Sequence, residues 1–428
     1  MVVPQSAGEG VTVGADDGFV GASAGGALTS LDTGKVAKAD QDAPVAAGKT
    51  AKISCRRGGP EVRDYRLILI GAGMAAGLAG ATPARAEEAA DPKPSHPIEV
   101  RYVVATAFDT GTDTSGPGEF ESWVVNFPLP VVIPFPQGYH DLRYNPDKHV
   151  LAIMTGEGPV RAAASIEALA NDRRFDVSHA YWLFAGIAGV DPNVDTVGSA
   201  AWAEYVVDGD LAHEIDAREI PKGWSTGYVP LGRSRPYQKP VPPASSGNGT
   251  SLFRLNEGFR DWAYKFSKAH VTLPDTANLQ KVRSLYQSYP AAQHPPQIVK
   301  GDVLGSGTFW LGDRLNRWAE DWVGYWSHGK GTFTMTSEED AGYAQALTFL
   351  SQSGQVDFKR VLDLRAASNF TVPHPGQTAA ELLASETDGT GFSGFIESLN
   401  DVYLTGSAVV NEIAGHWDKY EAPVPSAP

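Results

Sequence analysis

The stretch MTSEEDAGYAQALTFLSQSGQVDFKRVLDLRAASNF, from Met335 to Phe370, reads as an acidic turn, a helix, a short loop and a buried strand ending in polar residues. Ala344, Leu347 and Leu350 recur at helical spacing. Thr336 or Ser337 is the expected N-cap, and Glu338, Glu339 and Asp340 fall in a first turn where the helix dipole favours carboxylates. After Ser353-Gly354-Gln355, the run Val361-Leu362-Asp363-Leu364 is strand-like and delivers Arg365, Ser368 and Asn369 to its C-terminal end. In an open α/β sheet, ligands bind at that edge. Three acids opening a helix also describe a plain capped and solvated N-terminus, so the stretch gains meaning from its surroundings.

Working outward, the same unit recurs. Ile298 to Leu304 is a strand leading into Gly305-Ser306-Gly307-Thr308-Phe309-Trp310, followed by a helix around Arg314 to Trp326. An aromatic just past a glycine turn suits stacking on a flat ligand and equally suits the core. His149 to Met154 is a strand, then Thr155-Gly156-Glu157-Gly158 and a helix from Pro159 to about Ala170, where proline fits the first turn. Such a turn at a helix N-terminus points backbone amides at a bound anion or sugar, although turn geometry alone also accounts for the glycines. Ala180 to Phe184 is a strand ending in Gly186-Ile187-Ala188-Gly189, and Ser199 to Val207 returns as another. Ile98 to Ala105 alternates into a first strand and ends at a glycine-rich turn bearing Asp109 and Asp113. Helices are expected over about 256–269, 379–385 and 392–417, with a loop-rich excursion from Gly223 to Gln297. Strand, glycine turn and helix in repetition predict a three-layer α/β/α domain with a mixed central sheet.

Composition narrows the function classes. The chain has 428 residues, 42% hydrophobic, enough for a large core, and a formal charge of -15 that disfavours nucleic acid as a partner. Arg63 and Arg66 precede the apolar run Leu67 to Ala81, and Ala84-Arg85-Ala86 forms a small-residue cleavage site. The run is too short to span a bilayer and suits a signal-peptide core, so the expectation is export, periplasmic or secreted, with cleavage after Ala86 and no membrane span in the mature form. The predicted organisation is a 1–62 extension, a 63–86 signal, an 87–97 leader, a 98–418 functional domain and a 419–428 tail. Cys55, the single cysteine, lies upstream of the cut, so neither a disulfide framework nor a cysteine nucleophile is expected in the mature chain. Histidines are scattered without metal-ligand spacing, and no metal or resident cofactor is expected.

The ordered series TGEG, GIAGV, GSGTFW, SEEDA and RAASN resembles the nucleoside phosphorylase and nucleosidase superfamily, whose members carry SGxGxxxAA, GxAGG, SGDxF, a Glu-bearing helix start and RxISD in that order. A closer resemblance is to the purine nucleoside permease family. It rests on FDTGTDTSGPGE from Phe108, TGEGPVRAA from Thr155, RFDVSHAYWLFAGIAG from Arg174 and WSTGYVPLG from Trp224. The resemblance implies purine nucleosides as ligands and cleavage of their N-glycosidic bond by phosphate, as co-substrate, or by water. It implies that Glu339 accepts hydrogen bonds from ribose hydroxyls, with Glu338 beside it. Trp310 would stack on the base, Asn369 with Ser368 would contact purine N7, and Thr155 and Gly156 would lie by the sugar. Ala188 and Gly189 would line the same cleft, Arg161 would meet phosphate, and Asp109 lies near the place of a water-activating carboxylate. Relatives commonly form homo-oligomers. Position 369 is Asn where the nucleosidases carry Asp, and an amide stabilises a developing N7 charge by hydrogen bonding without donating its proton outright. Two functions therefore stay open at this point: a nucleoside-cleaving enzyme, or a non-catalytic nucleoside-binding protein supporting uptake.

Overall fold

The computed structural model describes residues 96–243, 251–387 and 393–427, with backbone alone for a few short strand segments elsewhere. The predicted export signal with its cut after Ala86, the 1–62 extension and nearly all of the leader lie outside the described residues. Contacts divide the chain into Val2–Asp91 and Pro92–Pro428, and the second unit carries everything below.

That unit begins with β1 (Tyr102–Thr106), α1 (Glu119–Asn126), β2 (Val131–Ile133), β3 (Leu142–Asn145), β4 (Val150–Met154), α2 (Pro159–Ala170) and β5 (Tyr181–Val190). The short strands β6 (Ala200–Trp202), β7 (Tyr205–Asp208) and β8 (Leu252–Arg254) follow, then α3 (Glu257–His270) and α4 (Ala277–Ser284). The remainder is β9 (Ile298–Lys300), β10 (Asp302–Gly305), α5 (Asp313–Trp326), β11 (Phe333–Ser337), α6 (Asp340–Gln352), β12 (Val361–Phe370), α7 (Ala379–Thr387) and α8 (Phe395–Gly415).

The long strand β5 is the axis of a mixed sheet ordered β8-β7-β10-β11-β5-β1-β4-β3-β2. Along its first half β5 pairs in parallel with β1, along its whole length it pairs in parallel with β12, and at Val190 it meets Met335 of β11 antiparallel. β12 carries β6, and β6 carries β9. The predicted strand Ser199 to Val207 is thus two legs, β6 and β7, and β9 and β10 are likewise two legs of one bent strand. Asp302 holds the bend: Oδ1 accepts from the amides of Glu204 and Tyr205 at 3.1 and 2.9 Å, and Oδ2 from Thr332 N at 2.8 Å. The bends divide each strand between two runs of the sheet: β6 and β9 continue outward from β12, while β10 and β7 continue outward from β11.

Alternation along the central strands feeds two cores. Tyr102, Val104, Tyr181, Leu183 and Leu364 face Trp123 of α1, Phe259 of α3 and Val409 of α8. Val103, Ala105, Trp182 and Phe184 face Ile166 of α2 and Leu347 of α6. Burial on both faces explains the near-continuous apolar runs of β5 and β12 and makes the domain three layers, α/β/α, as the sequence predicts.

Two boundaries differ from the sequence expectation, with consequences for the site. β11 runs through Ser337, where the Ser306 amide donates to its carbonyl at 2.9 Å, so the N-cap of α6 is Glu339 rather than Thr336 or Ser337. β5 and β12 also run on together through Gly189 and Asn369, with one irregularity between Ala188 and Gly189. Arg365, Ser368 and Asn369 therefore lie within a strand and not past its end. The segment from residue 419 is tied down: Tyr420 is buried, and its carbonyl accepts from the Tyr181 hydroxyl at 2.8 Å.

Candidate functional site

At the far half of the β5–β12 pair, Gly186 lies opposite Arg365. A Cβ at Gly186 would collide with the Arg365 guanidinium, so the glycine is what lets the arginine lie across the strand. Arg365 Nε donates to Asp340 Oδ2 at 3.0 Å, Nη2 to Asp340 Oδ1 and to Glu339 Oε2 at 3.1 Å, and Nη1 to the Ile187 carbonyl at 3.3 Å. The other oxygen of Glu339, Oε1, accepts from the Gly158 amide at 3.3 Å. The α2 turn, the α6 cap and the centre of the sheet are thereby joined through one carboxylate.

A second carboxylate enters from α1. Glu119 Oε2 accepts from the Ala107 amide at 2.8 Å and Oε1 from the Ile187 amide at 2.7 Å, and Oε1 flanks Gly186 together with Arg365. The sequence does not single out Glu119. It closes the FDTGTDTSGPGE stretch and looks like an ordinary first-turn acid, and its role appears only once the turn of residues 109–118 folds back on Ala107. The expected residue from this stretch, Asp109, is elsewhere engaged: its Oδ1 accepts from the Glu121 amide at 2.8 Å and so caps α1.

Glu119, Glu339, Asp340 and Arg365 are all buried, at 0–3% exposure. Burial pushes the Glu119 carboxyl up to about 8, against the pull of Arg365 and with the help of Glu339. Glu339 is also raised by burial, opposed by Arg365. Burial works against the charge of Arg365, but Asp340 and Glu339 outweigh it and hold the guanidinium protonated. Glu338, half-buried, is pushed up to about 7 by burial and then by Glu339 and Glu157.

The Thr155–Gly158 turn packs beside this cluster. Thr155 Oγ1 is 2.8 Å from the Tyr343 hydroxyl and donates to the Thr106 carbonyl at 3.1 Å. Gly156, at φ +81°, is wedged between Tyr139 and Arg161. Arg161 is exposed, and its Nη1 donates to the Glu157 carbonyl at 3.1 Å. On the other side of Arg365 the ladder carries Ala188, Gly189, Ser368 and Asn369. Ser368 Oγ is 3.0 Å from the Ala188 carbonyl and 2.9 Å from Asn369 Oδ1, and Asn369 Nδ2 donates to the Phe370 carbonyl at 3.2 Å. The Gly189 amide donates to Thr336 Oγ1 at 2.9 Å, and a Cβ there would sit 3.2 Å from Asn369 Nδ2.

Trp310 is not drawn into this group. Its ring stands edge-on to Trp318, centroids 5.8 Å apart, and tilted on Phe333 at 6.0 Å. It lines a hollow of about 170 Å³ together with Asp210, Tyr228, Ser306, Thr308 and Leu315, and neither Glu339 nor Asn369 lines that hollow. The loop bearing Trp310 is nevertheless pinned at both ends: the Ser306 amide donates to the Ser337 carbonyl, and the Gly312 amide donates to the Thr371 carbonyl at 2.7 Å. Among the described residues, no three His, Cys, Asp or Glu side chains are grouped to hold a metal ion.

Chemically, the arrangement offers hydrogen-bond acceptors to hydroxyl groups and a carboxyl that exchanges its proton near neutral pH. It offers little to an anion, because Arg365 is already ion-paired with Glu339 and Asp340, Glu119 and Glu338 add two further carboxyls, and the Gly158 amide already serves Glu339.

Comparison with known proteins places these residues in a family context. A family model described as purine nucleoside permease (NUP) matches residues 99–425. A purine nucleoside permease of Candida albicans is 33% identical over 307 residues, covering 70% of this chain and 72% of its own. A probable purine nucleoside permease of Schizosaccharomyces pombe is 29% identical over 286 residues, covering 65% of this chain and 80% of its own. Among solved structures, the futalosine hydrolase of Helicobacter pylori superposes with a TM-score of 0.45 at 13% identity, covering 73% of this chain and 98% of its own. A 5'-methylthioadenosine/S-adenosylhomocysteine nucleosidase of Neisseria meningitidis gives 0.42 at 13% identity, covering 74% and 99%.

Proposed function

The chain belongs to the purine nucleoside permease family, and from that membership we propose that it binds purine nucleosides and cleaves their N-glycosidic bond with water. The observation that carries the reading is the clamp of Arg365 on Glu339 at the far half of the β5–β12 pair, where Asn369 also lies. Glu339 accepts from the ribose hydroxyls, with Glu338 at the mouth, and Asn369 hydrogen-bonds the base at N7. As the bond breaks, its electron pair leaves with the base and positive charge grows on the sugar, where buried carboxylates lower the barrier. Glu119, once it has lost its proton, takes a proton from the attacking water as its oxygen bonds to the sugar carbon, and the departing base takes up a proton from solvent, so that free base and free sugar result.

Water is preferred over phosphate as the acceptor because the carboxyl-rich pocket repels a phosphate dianion and Arg161 points its Nη1 at the Glu157 carbonyl. A reading without chemistry is favoured by one feature, the Asn at 369, whose amide has no titratable proton to give. Incubating the purified mature protein with inosine and adenosine, with and without phosphate, and following free base by chromatography separates the readings. Base released without phosphate supports hydrolysis, with a rate that climbs as pH rises through about 8 while Glu119 ionises. Release that requires phosphate makes the protein a phosphorylase, and no release in either case leaves a binding protein.

No helix among the described residues is long and apolar enough to cross a membrane. The role in uptake is then that of a binding or scavenging component, exported through the Arg63 to Ala86 segment. N-terminal sequencing of the exported protein, expected to begin at Glu87, tests that step.

A further inference from the structure

Asp363 is a buried carboxyl that the proposed reaction does not use. It lies on β12 two residues before Arg365, so the strand period places both on the face beneath α6. It is fully buried, and no donor among the described residues reaches either Oδ1 or Oδ2. Its backbone is fixed in the ladder, with the Ala203 amide donating to its carbonyl at 3.1 Å. Its side chain faces acid: Asp340 of α6, within hydrogen-bond reach, and Asp302 at the bend before β10, with Arg365 of its own strand as the nearby cation.

Two ionised carboxylates cannot hydrogen-bond each other, whereas one that keeps its proton donates to its neighbour. The charge count demands retained protons. Glu119, Glu339, Asp340 and Asp363 are gathered around Arg365, whose Nε and Nη2 already bind Asp340 and Glu339. A further unpaired anion at that depth would be strongly unfavourable. Burial and the Asp340 charge both push the Asp363 carboxyl well above its ordinary range, and the opposing pull of Arg365 is the smaller influence.

We infer that Asp363 stands as a neutral carboxylic acid that donates its proton to Asp340, and that this bond fixes the carboxylate that orients Arg365 and, through it, Glu339. Asp363 is a positioning residue, two steps removed from any ligand. Its consequence for nucleoside binding rests on the function proposed above, but its protonation does not. An asparagine at 363 offers an N–H in place of the O–H, while a leucine offers nothing. Because the proton is held more tightly in the folded chain than in the unfolded one, its contribution is complete below the ordinary carboxylate range and is lost as pH rises to the elevated value. At that point two adjacent anions compete for Arg365, and Glu339 is loosened.

The test uses the full chain and two readouts. Infrared difference spectra of wild type against Asp363→Asn at neutral pH, in H2O and D2O, should show a protonated carboxyl band in wild type that shifts with deuteration. A missing band overturns the proposal. Nucleoside affinity, measured by calorimetry with inosine and adenosine from neutral to alkaline pH, should decline more steeply at the alkaline end in wild type than in Asp363→Asn. Asp363→Leu should lose affinity at neutral pH by about tenfold or more. Asp363→Asn losing as much as Asp363→Leu overturns the donor role, and if the leucine variant does not fold, the band and the asparagine variant still decide. Wild type that shows the band but binds no nucleoside at any pH leaves Asp363 as inferred and retires the proposed function instead.

Discussion

Strand β11 connects two clusters made of opposite materials. Phe333 at its start packs on Trp310 in a wall of α5 aromatics that includes Trp318, Trp322 and Trp326, whereas Glu339 and Asp340 just past its end bind Arg365. The aromatic wall is held by packing, so losing one ring leaves a cavity that neighbours partly fill. The Arg365 cluster is held by directed bonds between buried charges, so losing one member leaves the others uncompensated. Packing of the first kind supports a site, while the second kind presents one, since only fixed polar groups distinguish a ribose hydroxyl from water.

The largest expected effect is that of Arg365→Met. It strands Glu339 and Asp340 in the interior without their cation, which should cost about 3–5 kcal/mol in urea unfolding and abolish nucleoside binding in whatever fraction remains folded. Trp310→Ala comes next, at about 3 kcal/mol of stability for a large buried ring, with nucleoside affinity changed much less. The comparison breaks if the order reverses. If Trp310→Ala instead leaves stability intact and weakens nucleoside binding by about 1–3 kcal/mol, the ring belongs to the site as a stacking surface.

How far the sequence foretells each cluster follows from the same difference. Helix α6 announces itself through Ala344, Leu347 and Leu350, all buried against the sheet, because a period of 3.6 in apolar residues has one interpretation. Glu339 and Asn369 stand in ordered motifs, and β11 and β12, which bring them in, both lie beside β5. Glu119 is hidden because its partners, the amides of Ala107 and Ile187, are backbone groups that leave no trace in the residue types. Asp363 is hidden for the opposite reason: within Val361-Leu362-Asp363-Leu364 it looks like a polar interruption of a strand, and only the approach of Asp340 gives it a purpose. Trp310 has two readings in the sequence because an aromatic after a glycine turn suits a ligand and a core equally well, and the choice depends on α5, which the motif does not contain. The bends between β6 and β7 and between β9 and β10 are illegible because the change of pairing partner is a property of the sheet, not of the residue types along each strand.

The smallest expected effect comes from a buried carboxyl with no cation paired to it among the described residues. Asp401 of α8 is fully buried; Asn400 Nδ2 donates to its Oδ1 at 3.1 Å, and no donor among the described residues reaches Oδ2. Burial pushes it up to about 8, with Glu397 adding to the rise. Since the folded chain holds this proton more tightly than the unfolded one, the associated stability is complete below the ordinary carboxylate range and drains away as pH climbs through about 8. Asp401→Asn should therefore match wild type only in urea titrations below the ordinary carboxylate range and exceed it by about 1 kcal/mol or more on the alkaline side, where wild type must bury a charge. Asp340→Asn should behave differently and lose stability on both sides, because it removes a carboxylate partner of the buried Arg365 guanidinium. The gap between the two pH profiles measures what the guanidinium contributes, and an Asp340→Asn variant that gains on the alkaline side as Asp401→Asn does would mean that the pair with Arg365 adds no stability.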